Sequence, residues 1–257
     1  MVRSRRGDPV ALEHRRVVRA LRAEAAPSGI AFLRDYLGSP VPVLGVPTPR
    51  LRSVVRATVD RLATASRSRV RSLARSLWRG TTFEERVVAI ELLGSELLAD
   101  DEGAWRLESR WVDSATGWAL SDSLAAGPIA DQVAAHPVRF RELLRWTRSE
   151  NLWRRRASTY ALRAWVRSGE LDRPFTLLKR LLDDPEGWVQ RAVGTWLREC
   201  WKKDESRTER FLRREVPRLA PVTLTVATER APRKLREELR RRARRGSERS
   251  RGARRGF

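Results

Sequence analysis

Thr81-Thr-Phe-Glu-Glu-Arg-Val-Val-Ala-Ile-Glu-Leu-Leu93 reads as a helix with its start signal attached. Thr81 and Glu84 have the spacing of a capping box, in which hydroxyl and carboxylate satisfy each other's orphan amides. Val87, Val88, Ile90, Leu92, Leu93 and then Leu97 follow at helical spacing. The rest of the chain repeats this pattern. Asp8-Pro9 is an N-cap and first-turn pair ahead of Leu12, Val17, Val18 and Leu21, a run that ends by Pro27. Ile30 to Leu37 is a short helix closed by Gly38. The proline-rich stretch from Ser39 to Pro47 cannot be helical throughout. Thr48-Pro49 starts another helix, and Ser66 to Trp78 follows. Further helices are expected over roughly 101–113, 116–135, 137–148, 151–168, 173–183, 187–203 and 205–219. Pro221-Val-Thr-Leu-Thr-Val226 is β-branched but stands alone, and reads as a helix start or a loop. About a dozen helices on short turns predict an all-α chain. Its expected form is a HEAT-like α-solenoid of stacked antiparallel helix pairs with a concave basic face. A compact helical bundle fits the pattern as well.

Composition narrows the partner. Over 257 residues there are 54 Lys+Arg against 32 Asp+Glu, a net charge of +22. Such a field attracts a polyanion, and nucleic acid is the commonest one. No apolar run is long enough to span a bilayer, and no apolar segment follows the basic N-terminus as a secretory signal requires. A membrane partner is therefore not expected, and a cytoplasmic, nucleoid-associated monomer is. One cysteine, Cys200, excludes an internal disulfide framework, and His14 and His136 are too few for a Cys/His zinc site. Neither a metal nor another cofactor is expected, and the sequence has no Gly-rich phosphate loop. Residues 233–257 hold 12 Lys/Arg and 3 Asp/Glu, a net +9 that leaves +13 on residues 1–232. The expected organisation is a helical-repeat DNA-binding domain over 1–232 and a basic arm over 233–257. The arm is read as helical to about Arg245 and disordered beyond, either a nonspecific polyanion-binding segment or a solvated charge run.

Four stretches could carry chemistry. In Gly117-Trp-Ala-Leu-Ser-Asp-Ser-Leu124, Trp118 and Asp122 lie one helical turn apart on one face. Leu120, Leu124, Ile129 and Val133 supply the apolar side. Two readings fit: a core indole beside a carboxylate satisfied by an arginine, or a face turned into a cleft that holds a DNA backbone. Asn151-Leu-Trp-Arg-Arg-Arg-Ala157 sets Trp153 and three arginines at a helix start, where free amides and guanidinium forks favour phosphate. In Gly187-Trp-Val-Gln-Arg-Ala-Val-Gly-Thr-Trp-Leu-Arg-Glu199, Gly194 permits close approach of another surface beside Trp196. Tyr36 precedes the proline-rich loop. Trp78, Trp105, Trp146 and Trp165 are read as core.

Five motifs then occur in order: Gly45-Val-Pro-Thr-Pro-Arg-Leu-Arg52, Leu77-Trp-Arg-Gly-Thr-Thr-Phe-Glu-Glu-Arg86, Gly117-Trp-Ala-Leu-Ser-Asp122, Trp153-Arg-Arg-Arg-Ala157 and Arg191-Ala-Val-Gly-Thr-Trp-Leu-Arg-Glu199. Over roughly residues 30–220 the chain resembles the HEAT-like-repeat DNA alkylation-repair glycosylases of the AlkD type. The resemblance implies an α-solenoid that clasps duplex DNA and excises N3- or N7-alkylated purines. It implies Asp122 as the catalytic carboxylate, flanked by Trp118 and Trp196, with Tyr36 bordering the DNA. The family's cleft arginine falls on Arg156 or on Arg155 beside it, next to Trp153. Two other classes compete: a noncatalytic helical-repeat protein that recognises distorted or branched DNA, and a protein scaffold, which the basic body disfavours.

Overall fold

The computed structural model describes residues 8–26, 28 and 30–254, and among them every regular element is helical. Helices stack in pairs, as expected of HEAT-like repeats, within two compact units, Met1–Ala135 and His136–Phe257. No helix among the described residues is long and apolar enough to cross a membrane.

The first unit contains α1 (Pro9–Ala23), α2 (Ile30–Leu37), α3 (Thr48–Arg61), α4 (Arg67–Trp78), α5 (Phe83–Leu93), α6 (Glu102–Trp111), α7 (Trp118–Leu124) and α8 (Ala130–Ala135). The starts of α1, α4, α5 and α6 are capped by side chains. Asp8 accepts from the Val10 amide at 2.9 Å, and Asp101 accepts from the Ala104 amide at 2.7 Å. The capping box of α5 sits one residue later than expected. Thr82, and not Thr81, accepts from the Glu85 amide, and the Glu85 carboxylate accepts from the Thr82 amide at 3.0 Å. Glu84 is thereby released for another task. Buried at 3% exposure, it accepts from the amides of Leu44 at 3.0 Å and Gly45 at 2.8 Å, pinning the proline-rich loop to α5. A proline-rich segment has few backbone donors, and this one carboxylate takes three of them, the third from Val46 at 3.4 Å.

The core of this unit joins α4 and α5, with α1 and α3 packed on them. Val17, Leu21, Leu73, Leu77, Val88 and Leu92 are fully buried or nearly so. Trp78 stacks flat on Trp111, centroids 4.5 Å apart. The helix expected over 116–135 is not continuous. Ala125–Ile129 forms a π turn, with Gly127 out of helical geometry at ψ −114°. Pro128 is the cause: it lacks an amide, and its ring excludes the residue before it from the helical region.

The second unit contains α9 (Phe140–Trp146), α10 (Leu152–Tyr160), α11 (Arg163–Ser168), α12 (Asp172–Arg180), α13 (Gly187–Trp201), α14 (Glu205–Glu215), α15 (Pro221–Ala227) and α16 (Arg233–Arg254). The helix expected over 151–168 is two, divided by a turn at Ala161 and Leu162. Helix α13 is the hub, packed on α10, α12, α14 and α15. Gly194 is what lets α15 in: a Cβ there would lie 2.8 Å from Val226 Cβ and 2.9 Å from the Thr223 carbonyl oxygen. The isolated β-branched stretch at 221–226 is therefore a helix, seated against that glycine. Gln190 closes the same junction, donating to the carbonyls of Leu182 at 2.9 Å and Asp184 at 2.8 Å, while its own carbonyl accepts from the Thr223 hydroxyl at 3.0 Å.

The basic arm is helical well past Arg245, to Arg254, and residues 255–257 lie outside the described set. Its first turns are docked by buried Leu235 and Leu239, which are i and i+4, and by an ion pair between Arg213 and Glu238.

Candidate functional site

In the first unit the site begins at a crossing of two glycines. Gly117 has φ +83°, and a Cβ on it would fall 2.1 Å from the Gly38 carbonyl oxygen. Only a glycine lets the start of α7 press against the end of α2 in this conformation. That contact positions Tyr36 and Trp118. The Trp118 indole N–H donates to the Tyr36 carbonyl at 2.5 Å, and the two rings meet edge to face at 5.3 Å. Phe32, one turn earlier on α2, stacks on Tyr36 at 6.1 Å. Phe32 and Tyr36 are 74% and 59% exposed, so this aromatic series runs from solvent toward a half-buried Trp118. Asp122 lies one turn beyond Trp118 and is 9% exposed. Leu120, Leu124, Ile129 and Val133 are buried, as the spacing predicts.

The second unit gathers its own aromatic and cationic cluster. Arg156 on α10 is 4% exposed. Its guanidinium donates to the Trp188 carbonyl at 2.6 Å and to the Tyr160 hydroxyl at 3.1 Å. It also lies 5.0 Å from the Tyr160 ring and 5.8 Å from the Trp188 ring, within cation–π range. Trp196 is 7% exposed and meets Tyr160 edge to face at 5.6 Å. Its buried indole N–H has no hydrogen-bond partner among the described residues. Trp153 is half-buried, tilted against Trp188 at 6.1 Å.

Arg155 is held elsewhere. Its guanidinium grips Asp184 through two bonds of 2.6 and 3.2 Å, and donates to the Ser149 carbonyl at 2.8 Å. The arginine run is thus not one phosphate cluster. Asn151 caps α10 through the Trp153 amide at 2.9 Å, which removes one of the free amides expected there. Tyr160 and Trp188 are members of the cluster that the motifs did not single out. Tyr160 could have been found, being i+4 from Arg156, and Trp188 lies two turns before Trp196 on the same helix.

The groups that nucleophilic catalysis would need are otherwise engaged. Cys200 is fully buried, and its thiol is pushed up to about 12 by burial first and by neighbouring Glu199 second. His14 bridges Ser76 at 2.6 Å and Glu85 at 3.0 Å, so it ties α1 to α4 and α5. Glu85 is already the α5 cap. Among the described residues no three His, Cys, Asp or Glu side chains gather as a metal site would require.

Comparison with known proteins places the fold and the family. Three solved structures share the fold. A predicted DNA alkylation repair enzyme from Enterococcus faecalis superposes with a TM-score of 0.72 at 17% identity, over 82% of this chain and 98% of that one. AlkD2 from Streptococcus mutans gives 0.57 at 17% identity, over 77% and 95% of the two chains. The smu.31 protein of Streptococcus mutans UA159 gives 0.54 at 18% identity, over 75% and 89%. No curated protein matches the chain at a significant level. The family model for DNA alkylation repair enzymes matches residues 17–231, nearly the whole chain. This chain belongs to the family of DNA alkylation repair enzymes, with a role in alkylation repair.

Proposed function

We propose that this protein is a monofunctional DNA glycosylase that hydrolyses the N-glycosidic bond of N3- or N7-alkylated purines in duplex DNA, with Asp122 as the catalytic carboxylate. The observation that carries the reading is the α7 arrangement. A buried carboxylate stands one turn from an indole that is itself clamped by the Tyr36 carbonyl, on a chain of net charge +22.

The chemistry follows from charge. An alkylated purine is a cation, so its glycosidic bond is already weakened and the base departs neutral. Positive charge then builds on the deoxyribose, which becomes oxocarbenium-like. A fixed carboxylate at low local dielectric stabilises that charge in the transition state and orients the attacking water. Trp118 presents its face to the same cation. Neither a metal nor a covalent intermediate is needed for this step.

Binding requires the opposite sign. Arg156 suits a phosphate, because its guanidinium is pre-set by Tyr160 and Trp188. Trp196 suits the same role: a buried donor without a partner is costly, by about 1–3 kcal/mol, unless a ligand completes it. Exposed Tyr36 in the first unit and half-buried Trp153 in the second are the aromatics that would border the DNA. Arg155, held by Asp184, is a structural residue in this reading.

Asp122→Asn tests the proposal on methylated duplex DNA. The variant should bind with wild-type affinity and release free 3-methyl- or 7-methylpurine slower by about two to three orders of magnitude, as when one transition-state stabiliser is lost. Release at the wild-type rate would sink the assignment. Wild-type protein that binds alkylated DNA and releases no base would instead favour a noncatalytic DNA-recognition role.

A further inference from the structure

A different part of the first unit carries a charge pattern that alkylpurine excision does not use. A cavity of about 570 Å³ opens beside α1, and Arg15, Arg19, Arg22 and Arg79 line it with His14 and Glu85. Arg15, Arg19 and Arg22 are i, i+4 and i+7, so they form one stripe on one helix face. Arg79 closes the cavity from the end of α4.

Most arginines here that border a carboxylate are paired with it. On α1 itself Arg16 binds Glu13 at 3.2 Å, and Arg61 reaches the same carboxylate from α3 at 2.7 Å. The four cavity arginines have no carboxylate partner among the described residues. The single acidic lining group does not serve them. Glu85 already accepts from His14 at 3.0 Å, from the Thr82 amide at 3.0 Å and from the Thr82 hydroxyl at 2.8 Å. Four guanidiniums therefore share a concavity with one carboxylate that three donors have satisfied. Like charges on one face repel without a counter-charge, and a stripe costs more than scattered cations.

We propose that this stripe is a second binding site for DNA backbone, apart from the Trp118–Asp122 cluster. A single phosphate is too small to serve it. Seven residues of helix advance about 10 Å, so Arg15 and Arg22 reach different points of a ligand with several negative charges in a row. Duplex DNA carries one such charge per roughly 1.7 Å of its axis. The stripe stands on a different helix: α1 packs on α3, α4 and α5, whereas α7 packs on α5 and the π turn. Arg15 and His14 also precede the segment that matches the family, which begins at residue 17. The choice of DNA rests on the family's role in DNA repair and not on the assignment of Asp122. The site adds affinity for undamaged flanking or neighbouring DNA.

The test measures binding of an undamaged duplex by fluorescence anisotropy across a salt series. It compares wild type with Arg15→Gln/Arg19→Gln/Arg22→Gln and with a charge-matched control, Arg56→Gln/Arg67→Gln/Arg69→Gln, whose arginines are exposed outside the cavity. The slope of log affinity against log salt should become shallower by about 2 to 3 for the α1 variant, since each neutralised phosphate contributes about 0.9. The control should change it by less than about 1. An unchanged slope for the α1 variant overturns the proposal, and so does an equal loss in the control, which would mean that net charge alone is read. Thermal unfolding checks that both variants fold. No base release is measured, so failure here and failure of the Asp122 assignment are separate results.

Discussion

Arg154, Arg155 and Arg156 are consecutive, and each does something different. Successive residues on a helix point about 100° apart, so a run of three cannot share one target. Arg154 covers Trp146, its guanidinium 5.0 Å from the ring, Arg155 locks to Asp184, and Arg156 is buried among Tyr160 and Trp188. Two substitutions separate the last two. Arg155→Gln leaves the 4%-exposed Asp184 side chain without its ion-pair partner, a loss of about 3–5 kcal/mol for a buried pair. It should lower the unfolding temperature by roughly 10 °C, at about 2–4 °C per kcal/mol for a chain of this size, and leave excision by the folded fraction intact. Arg156→Gln should weaken binding of alkylated DNA at least tenfold, read by anisotropy. If Arg155→Gln abolished binding while Arg156→Gln did not, the roles given to the two would be reversed. The spacing of the motif could not make this choice, because Asp184 lies 29 positions away from Arg155.

Helix α5 and helix α13 show how far pattern reading reaches at the level of the element. That residues 81–93 form a capped helix was legible from the Thr/Glu spacing and the apolar period. Which of two adjacent Thr/Glu pairs makes the box was not, since both have the same spacing. The proline-rich loop decides it, by claiming Glu84 for the amides of Leu44 and Gly45. On α13, the glycine at 194 signalled close approach, and the approaching surface is α15. Gly194→Ala should therefore destabilise by about 1–3 kcal/mol through overpacking against Thr223 backbone and Val226, despite alanine's better helix propensity. Thermal unfolding measures it, and a rise in stability would mean that α15 does not seat there. The π turn at Ala125–Ile129 overturns the continuous helix expected over 116–135, although its local cause, Pro128, lies within that stretch.

At the level of the whole molecule, charge is the property that sequence states most completely. The +9 carried by residues 233–257 outlasts any detail of their conformation. Buried Leu235 and Leu239 dock the start of α16, so deleting residues 245–257 should not disturb them. That deletion removes five arginines and one glutamate. If the arm binds DNA, the salt slope for an undamaged duplex becomes shallower, by about 0.9 for each phosphate that the arm had neutralised. An unchanged slope would reduce the arm to a solvated charge run. Helix content, the Asp8 start of α1, the burial of Trp78, Trp105, Trp146 and Trp165, and the family were all determined by the sequence alone. Those properties depend on near neighbours in the chain or on composition, and both are written locally. The tertiary structure decided what distant residues do to one another: Gly38 admitting Gly117, the Tyr36 carbonyl holding the Trp118 indole, Asp184 taking Arg155 away from its neighbour. A hydrogen bond or an ion pair forms only where packing brings two groups within about 3 Å, and no spacing along the chain encodes that distance.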